Sequence, residues 1–127
     1  MMPELIIEPE TLKFKGDRVR LNVRMPWYRA LPLSSVADVR WTVDGRPVPR
    51  ESITWTVDGA TYRLDDLPPR HDKWWYVLDS AEIEGDLITT DRDRHDVAVT
   101  LALYIPYITT DHGVLLIEES DAKEMAA

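Results

Sequence analysis

Three histidines, His71, His95 and His112, are the residues of this 127-residue chain best suited to acid–base or metal chemistry, and each stands beside an aspartate (Asp72, Asp96 and Asp111). Neighbours on a strand point to opposite faces, so sequence adjacency does not make a His–Asp dyad. Asp91, Asp93 and His95 are spaced by two. An extended segment would line them along one face and offer oxygen and nitrogen donors to a hard metal ion. Arg92 and Arg94 stand between them, so the segment reads first as a solvated mixed-charge turn. Ser34, Ser35, Ser52, Ser80 and Ser120 lie in no nucleophile-elbow motif, which argues against a Ser-His-Asp triad. Cysteine is absent, so thiolate nucleophiles, disulfides and Cys-based metal sites are excluded. The five glycines are scattered singly, with no phosphate-cradling loop among them. No catalytic residue and no metal ligand is assigned to this chain.

The aromatic residues say more. Five Trp and five Tyr stand against one Phe, a skew toward rings with a polar handle, the kind enriched at interfaces. Trp74, Trp75 and Tyr76 follow the loop Leu67-Pro68-Pro69-Arg70-His71-Asp72-Lys73. They are expected to form a satellite core beneath that loop, since large rings are mostly buried; the other use of such a triplet is a sugar-stacking platform. The segment Arg24-Met25-Pro26-Trp27-Tyr28-Arg29-Ala30-Leu31-Pro32-Leu33-Ser34 places apolar and aromatic residues between two prolines and cannot continue a regular ladder. Tyr104-Ile105-Pro106-Tyr107-Ile108 ends another alternating run in the same way. Two apolar strand ends of this kind either present a contact surface to another chain, anchored on Trp27, Tyr28 and Arg29, or plug the end of the core.

The elements that must position these residues are strands. Val19, Leu21 and Val23 alternate with polar residues, as do Val39, Trp41 and Val43, and then Ile53, Trp55 and Val57. Trp41 and Trp55 fall on inward positions and are expected in the core. Asp44-Gly45 and Asp58-Gly59 are hairpin signals, and Arg40-Trp41-Thr42-Val43-Asp44-Gly45 echoes Thr54-Trp55-Thr56-Val57-Asp58-Gly59. An echo this short reads as convergent strand-plus-turn chemistry. Asp96 to Pro106 and Val114 to Glu118 complete the strand-like runs. Nine prolines break every longer window, leaving only a helical turn at Ser35 to Asp38. The expectation is one all-β domain over residues 1–127, an antiparallel β-sandwich or jelly roll, with 119–127 a flexible tail or frayed helix.

A net charge of −8 with no clustered Arg or Lys argues against nucleic-acid binding. No stretch reaches the ~18 apolar residues of a membrane span, and the N-terminus lacks a basic, apolar leader, so a cytoplasmic protein is expected.

The run Met25-Pro26-Trp27-Tyr28-Arg29-Ala30-Leu31-Pro32-Leu33-Ser34-Ser35-Val36, with Val43-Asp44-Gly45, Trp75 and Tyr104-Ile105-Pro106-Tyr107, resembles the small β subunit of bacterial C-glycoside deglycosidases. The resemblance covers about Lys13 to Ile117, and its Pro-Trp-Tyr-Arg-x-Leu-Pro-Leu-Ser block is the specific part. It implies a β-sandwich subunit that partners a TIM-barrel α subunit carrying the catalytic groups and a divalent metal, usually manganese. It further implies cleavage of the carbon–carbon bond between a sugar, commonly oxidised at C3, and an aromatic aglycone such as a flavonoid. A 3-keto group acidifies the C2 proton, a general base removes it, and the electrons expel the aryl carbon. A metal ion polarising an oxygen stabilises the developing charge. In this frame Pro26, Trp27, Tyr28, Arg29, Leu31, Leu33, Tyr104, Pro106 and Tyr107 are the expected α-subunit contacts, and this chain holds no cofactor itself. A stand-alone carbohydrate-binding module is the alternative.

Overall fold

A computed structural model describes residues 6–89 and 92–127. The alternating runs form antiparallel strands in two facing sheets. The first sheet has the order β1 (Lys13–Lys15), β2 (Arg18–Val23), β9 (Ala81–Asp86), β6 (Thr54–Val57) and β7 (Ala60–Arg63). The second runs β11 (Gly113–Met125), β10 (His95–Thr110), β4 (Val36–Val43) and β5 (Arg46–Pro47). A short ladder of β3 (Leu31–Pro32) and β8 (Trp74–Trp75) lies apart from both.

Period-two alternation decides which face is buried. Val19, Leu21, Val23, Trp55, Val57 and Ile83 from the first sheet join Val39, Trp41, Val43, Val97, Val99, Leu101 and Leu103 from the second in one core. Leu21 lies directly across from Ile83, and Val99 from Trp41, so cross-strand pairs carry the same apolar pattern. The protein is therefore the antiparallel sandwich that its alternation predicts.

The two echoed segments build the same device once in each sheet. Asp44 and Gly45 have φ of 54° and 77°, and Asp58 and Gly59 have 52° and 76°. Positive φ at both central residues is the type I′ geometry that matches the strand twist, and Asp followed by Gly is one of the few pairs that reach it at low cost.

Three local expectations are corrected. The turn expected at Ser35 to Asp38 is a 3-10 turn at Leu33–Ser35, and β4 begins at once with the buried, β-branched Val36. That turn is held from outside by Leu33 N–H donating to the Lys73 carbonyl and Ser34 N–H to that of Arg70. The Asp96 to Pro106 run extends over sixteen residues as β10. Residues 119–125, expected as a flexible tail, are strand: β11 stays in register with β10 out to Met125 opposite His95. Asp121 and Met125 supply the inward positions there, and the buried Asp121 carboxylate accepts the Ile7 N–H at 2.9 Å.

Candidate functional site

The loop from Arg24 to Ala30 turns around prolines and splits by depth. Met25 and Pro26 are buried, Trp27 is half-buried, and Tyr28 and Arg29 stand in solvent, with Tyr28 66% exposed. From the far end of β10, Tyr107 reaches the same place. The Trp27 Nε1–H donates to the Tyr107 hydroxyl at 2.6 Å. The Trp27 and Tyr28 rings lie 4.8 Å apart at a 36° tilt, and the Arg29 guanidinium sits 4.7 Å above the Tyr107 ring.

This arrangement polarises the two phenols in opposite senses. The Tyr107 hydroxyl beside it pushes the Tyr28 hydroxyl above the usual tyrosine range. Partial desolvation pushes Tyr107 up. The donors Trp27 and Tyr28 and the positive charge of Arg29 outweigh it and hold Tyr107 below the usual range. The cluster therefore offers two ring faces, one cation and an acceptor oxygen stabilised by three neighbours. That is the composition of a protein-contact anchor, rich in Trp, Tyr and Arg; it lacks a nucleophile–base pair.

The expected contact residues thus divide into two groups. Trp27, Tyr28, Arg29 and Tyr107 come together at the surface, and Tyr104 and Pro106 are exposed nearby on β10. Leu31 and Leu33 do not belong with them: they are 1% and 0% exposed and lie in the core, and Pro26 is buried as well. The β3–β8 ladder explains this, because it sets Leu31 directly across from the buried Trp75. The segment plugs the core with one set of side chains and presents the other to solvent.

The triplet after the Pro-rich loop divides in the same way. Trp75 is buried in the main core, edge-on to Trp55 with centroids 5.0 Å apart, and its Nε1–H donates to the Asp79 carbonyl. Trp74 and Tyr76 face outward and, with Tyr62, Leu33, Val57 and Lys73, line a cleft of about 230 Å³. β3 and β8 are antiparallel, so the Trp27–Arg29 loop and the exposed Tyr76-Val77-Leu78 segment leave the ladder at the same end.

Of the candidate metal face, Asp91 lies outside the described residues, Asp93 is exposed, and His95 is buried. His95 is engaged elsewhere: its Nδ1 lies 2.7 Å from the carboxylate of Asp44, whose other oxygen accepts the Asp96 N–H at 2.9 Å. Among the described residues no three His, Asp or Glu side chains gather to hold a metal ion. The His95–Asp44 pair escapes sequence reasoning because its members are 51 residues apart. Its only trace is that the Asp-Gly turn after β4 must sit beside the start of β10 if Val43 faces Val97. Burial pushes the Asp44 carboxyl up, but the hydrogen bonds from His95 and Asp96 and the charge of Arg92 hold it below the ordinary aspartate value. The pair fixes a turn, and both of its side chains are almost fully covered. No helix among the described residues is long and apolar enough to cross a membrane.

A family model for the C-glycoside deglycosidase beta subunit matches residues 13–107, a span that includes every exposed member of the aromatic cluster. The chain is 46% identical over 126 residues to a C-glycoside deglycosidase beta subunit of Arthrobacter globiformis, covering 98% of this chain and 96% of that one. It is 44% identical to a protein of the same description from Microbacterium trichothecenolyticum, over 100% and 98% of the two chains. A 3'-dehydrocarminate deglycosidase beta subunit from a Microbacterium species is 33% identical over 98% of this chain and 95% of its own length. The sandwich, its two surface-exposed strand ends and this near-full-length similarity together identify the chain as a member of the C-glycoside deglycosidase beta subunit family.

Proposed function

We propose that this chain is the non-catalytic β subunit of a heteromeric C-glycoside deglycosidase that acts in the cytoplasm. The complex cleaves the carbon–carbon bond between a sugar, oxidised at C3, and an aromatic aglycone. In this reading the catalytic base and the divalent metal, Mn²⁺, belong to a TIM-barrel α subunit. The observation that carries it is the exposed Trp27–Tyr28–Arg29–Tyr107 cluster, which lies inside the family-matched span and has contact chemistry without acid–base geometry. Trp27, Tyr28, Arg29, Tyr104, Pro106 and Tyr107 dock the α subunit or wall its active site. Leu31, Leu33 and Pro26 hold the loop from beneath. The similarity to a 3'-dehydrocarminate deglycosidase subunit supports an oxidised sugar as the substrate class.

The test is the double variant Trp27→Ala with Tyr28→Ala, co-expressed with the α subunit. Circular dichroism should show the sandwich intact, while assembly and C-glycoside cleavage are both lost. A fully assembled, fully active pair would overturn the assignment of this surface. The cleft beside Trp74 and Tyr76 keeps a second reading in view, a carbohydrate-binding module. That reading requires sugar affinity in the isolated chain that Trp74→Ala abolishes.

A further inference from the structure

Asp44-Gly45 and Asp58-Gly59 are the chain's only Asp-Gly pairs. Both close two-residue hairpins, and their φ values agree within two degrees: 54° and 77° at the first, 52° and 76° at the second. Glycine has no Cβ, so its amide nitrogen is the least shielded nucleophile that can follow an aspartyl carboxyl group. Dipeptide and turn are alike, so only their surroundings separate the two aspartates.

Asp44 is locked. Its N–H donates to the Asp96 carbonyl at 2.7 Å. One carboxylate oxygen lies 2.7 Å from His95 Nδ1; the other accepts the Asp96 N–H at 2.9 Å and lies 3.3 Å from the guanidinium of Arg92. Asp58 stands in solvent, and its carboxylate meets no donor or cation among the described residues. Its hairpin is also free on one side, since β7 pairs with β6 alone and ends its sheet. Such an edge opens locally at lower cost than an element held on both sides.

We propose that Asp58 is a site of spontaneous isoaspartate formation in the folded chain, and that the contacts of Asp44 protect it from the same reaction. When the turn opens, the Gly59 amide nitrogen attacks Cγ of the Asp58 carboxyl group. A C–N bond forms, the Cγ–hydroxyl bond breaks, and the oxygen leaves as water together with the amide proton. Water then reopens the succinimide ring. Addition at Cγ restores Asp58; addition at the backbone carbonyl carbon leaves an isoaspartyl linkage, with the main chain running through Cγ. That linkage lengthens the turn by one backbone atom and sets the old main-chain carbonyl free as a carboxylate. Asp58 and Ala60 line the cleft of Tyr62, Lys73 and Trp74, so the product changes the rim of that cleft. The proposal does not depend on the deglycosidase reading.

The test needs no variant. The purified chain is aged at neutral pH and body temperature and digested with a protease that cleaves before aspartate but not before isoaspartate. The peptides are then scored by mass spectrometry and by methyl transfer from an isoaspartate-specific carboxyl methyltransferase. Isoaspartate should accumulate at Asp58 about tenfold or more faster than at Asp44, the scale of giving up a buried hydrogen bond. In concentrated urea the two rates should converge, because the flanking residues are nearly the same. No isoaspartate at Asp58, equal rates in the folded chain, or a ratio that persists in urea would each overturn the proposal.

Discussion

Trp27 donates its indole N–H to the hydroxyl of Tyr107 at 2.6 Å, across eighty residues of chain. This bond ties the Pro-flanked loop to the far end of β10 and makes one surface of two segments that the sequence presents separately. It also orients the rings. Trp27 lies against Tyr28, and Tyr107 lies beneath Arg29, so the exposed side chains are held before any partner arrives. Side chains fixed in advance lose less entropy on binding, which favours affinity without added area.

Tyr107→Phe keeps the ring under Arg29 and removes the acceptor of the Trp27 indole N–H. The fold should be unaffected, because Tyr107 is exposed. Affinity for the α subunit should fall roughly three- to tenfold, the scale of one hydrogen bond. Surface plasmon resonance on the purified subunits reads this directly. Unchanged affinity would mean that the bond orients nothing that the partner touches.

Gly85 lies in β9 beneath the β5 connection, where a Cβ would collide with the side chain of Val48. Gly85→Ala should therefore destabilise the sandwich by about 1–3 kcal/mol, the range for overpacking. Val48→Ala removes the clashing methyl groups, so the double variant should recover part of that loss in a urea-unfolding cycle. Additive losses would contradict a direct clash.

Asp44→Asn tests the turn that His95 locks. Asparagine tolerates the positive φ, so the turn is kept while the charge is lost. The folded Asp44 carboxyl titrates below its unfolded value. Its contribution is therefore complete above the unfolded aspartate value, about pH 4, and is lost as pH falls through the lower folded value. At pH 7 the variant should be less stable by about 1–3 kcal/mol, the cost of weakening a buried hydrogen-bonded group. The gap should narrow as pH falls through that lower folded value. A gap independent of pH would show that shape, not charge, matters at this position.

Alternation made the strands legible, because one buried face forces period two, and Asp-Gly marked both hairpins because few pairs reach positive φ at two successive positions cheaply. The surface was legible in part. Trp27, Tyr28 and Arg29 stood out through their apolar setting between prolines and Tyr107 through the aromatic strand end around Pro106, but the first cue also drew in Leu31 and Leu33. Their burial is decided by β8, more than forty residues away, which no local pattern reports. Residues 119–125 misled for a related reason. Their charged sequence resembles a solvated tail, and only Asp121 and Met125, inward on a ladder set by β10, make them strand. Lone long-range pairs such as His95 with Asp44 leave almost no mark on sequence.

The measurement that bears most directly on the subunit assignment is native mass spectrometry of this chain purified from its own host, followed by a C-glycoside cleavage assay on what co-purifies. A stoichiometric companion of roughly 250 residues or more, the size of a TIM barrel, is expected. The pair should cleave a 3-oxo-glucosyl aromatic C-glycoside, and this chain alone should not. A β chain that purifies without a companion, or a companion fully active after this chain is stripped away, would contradict it.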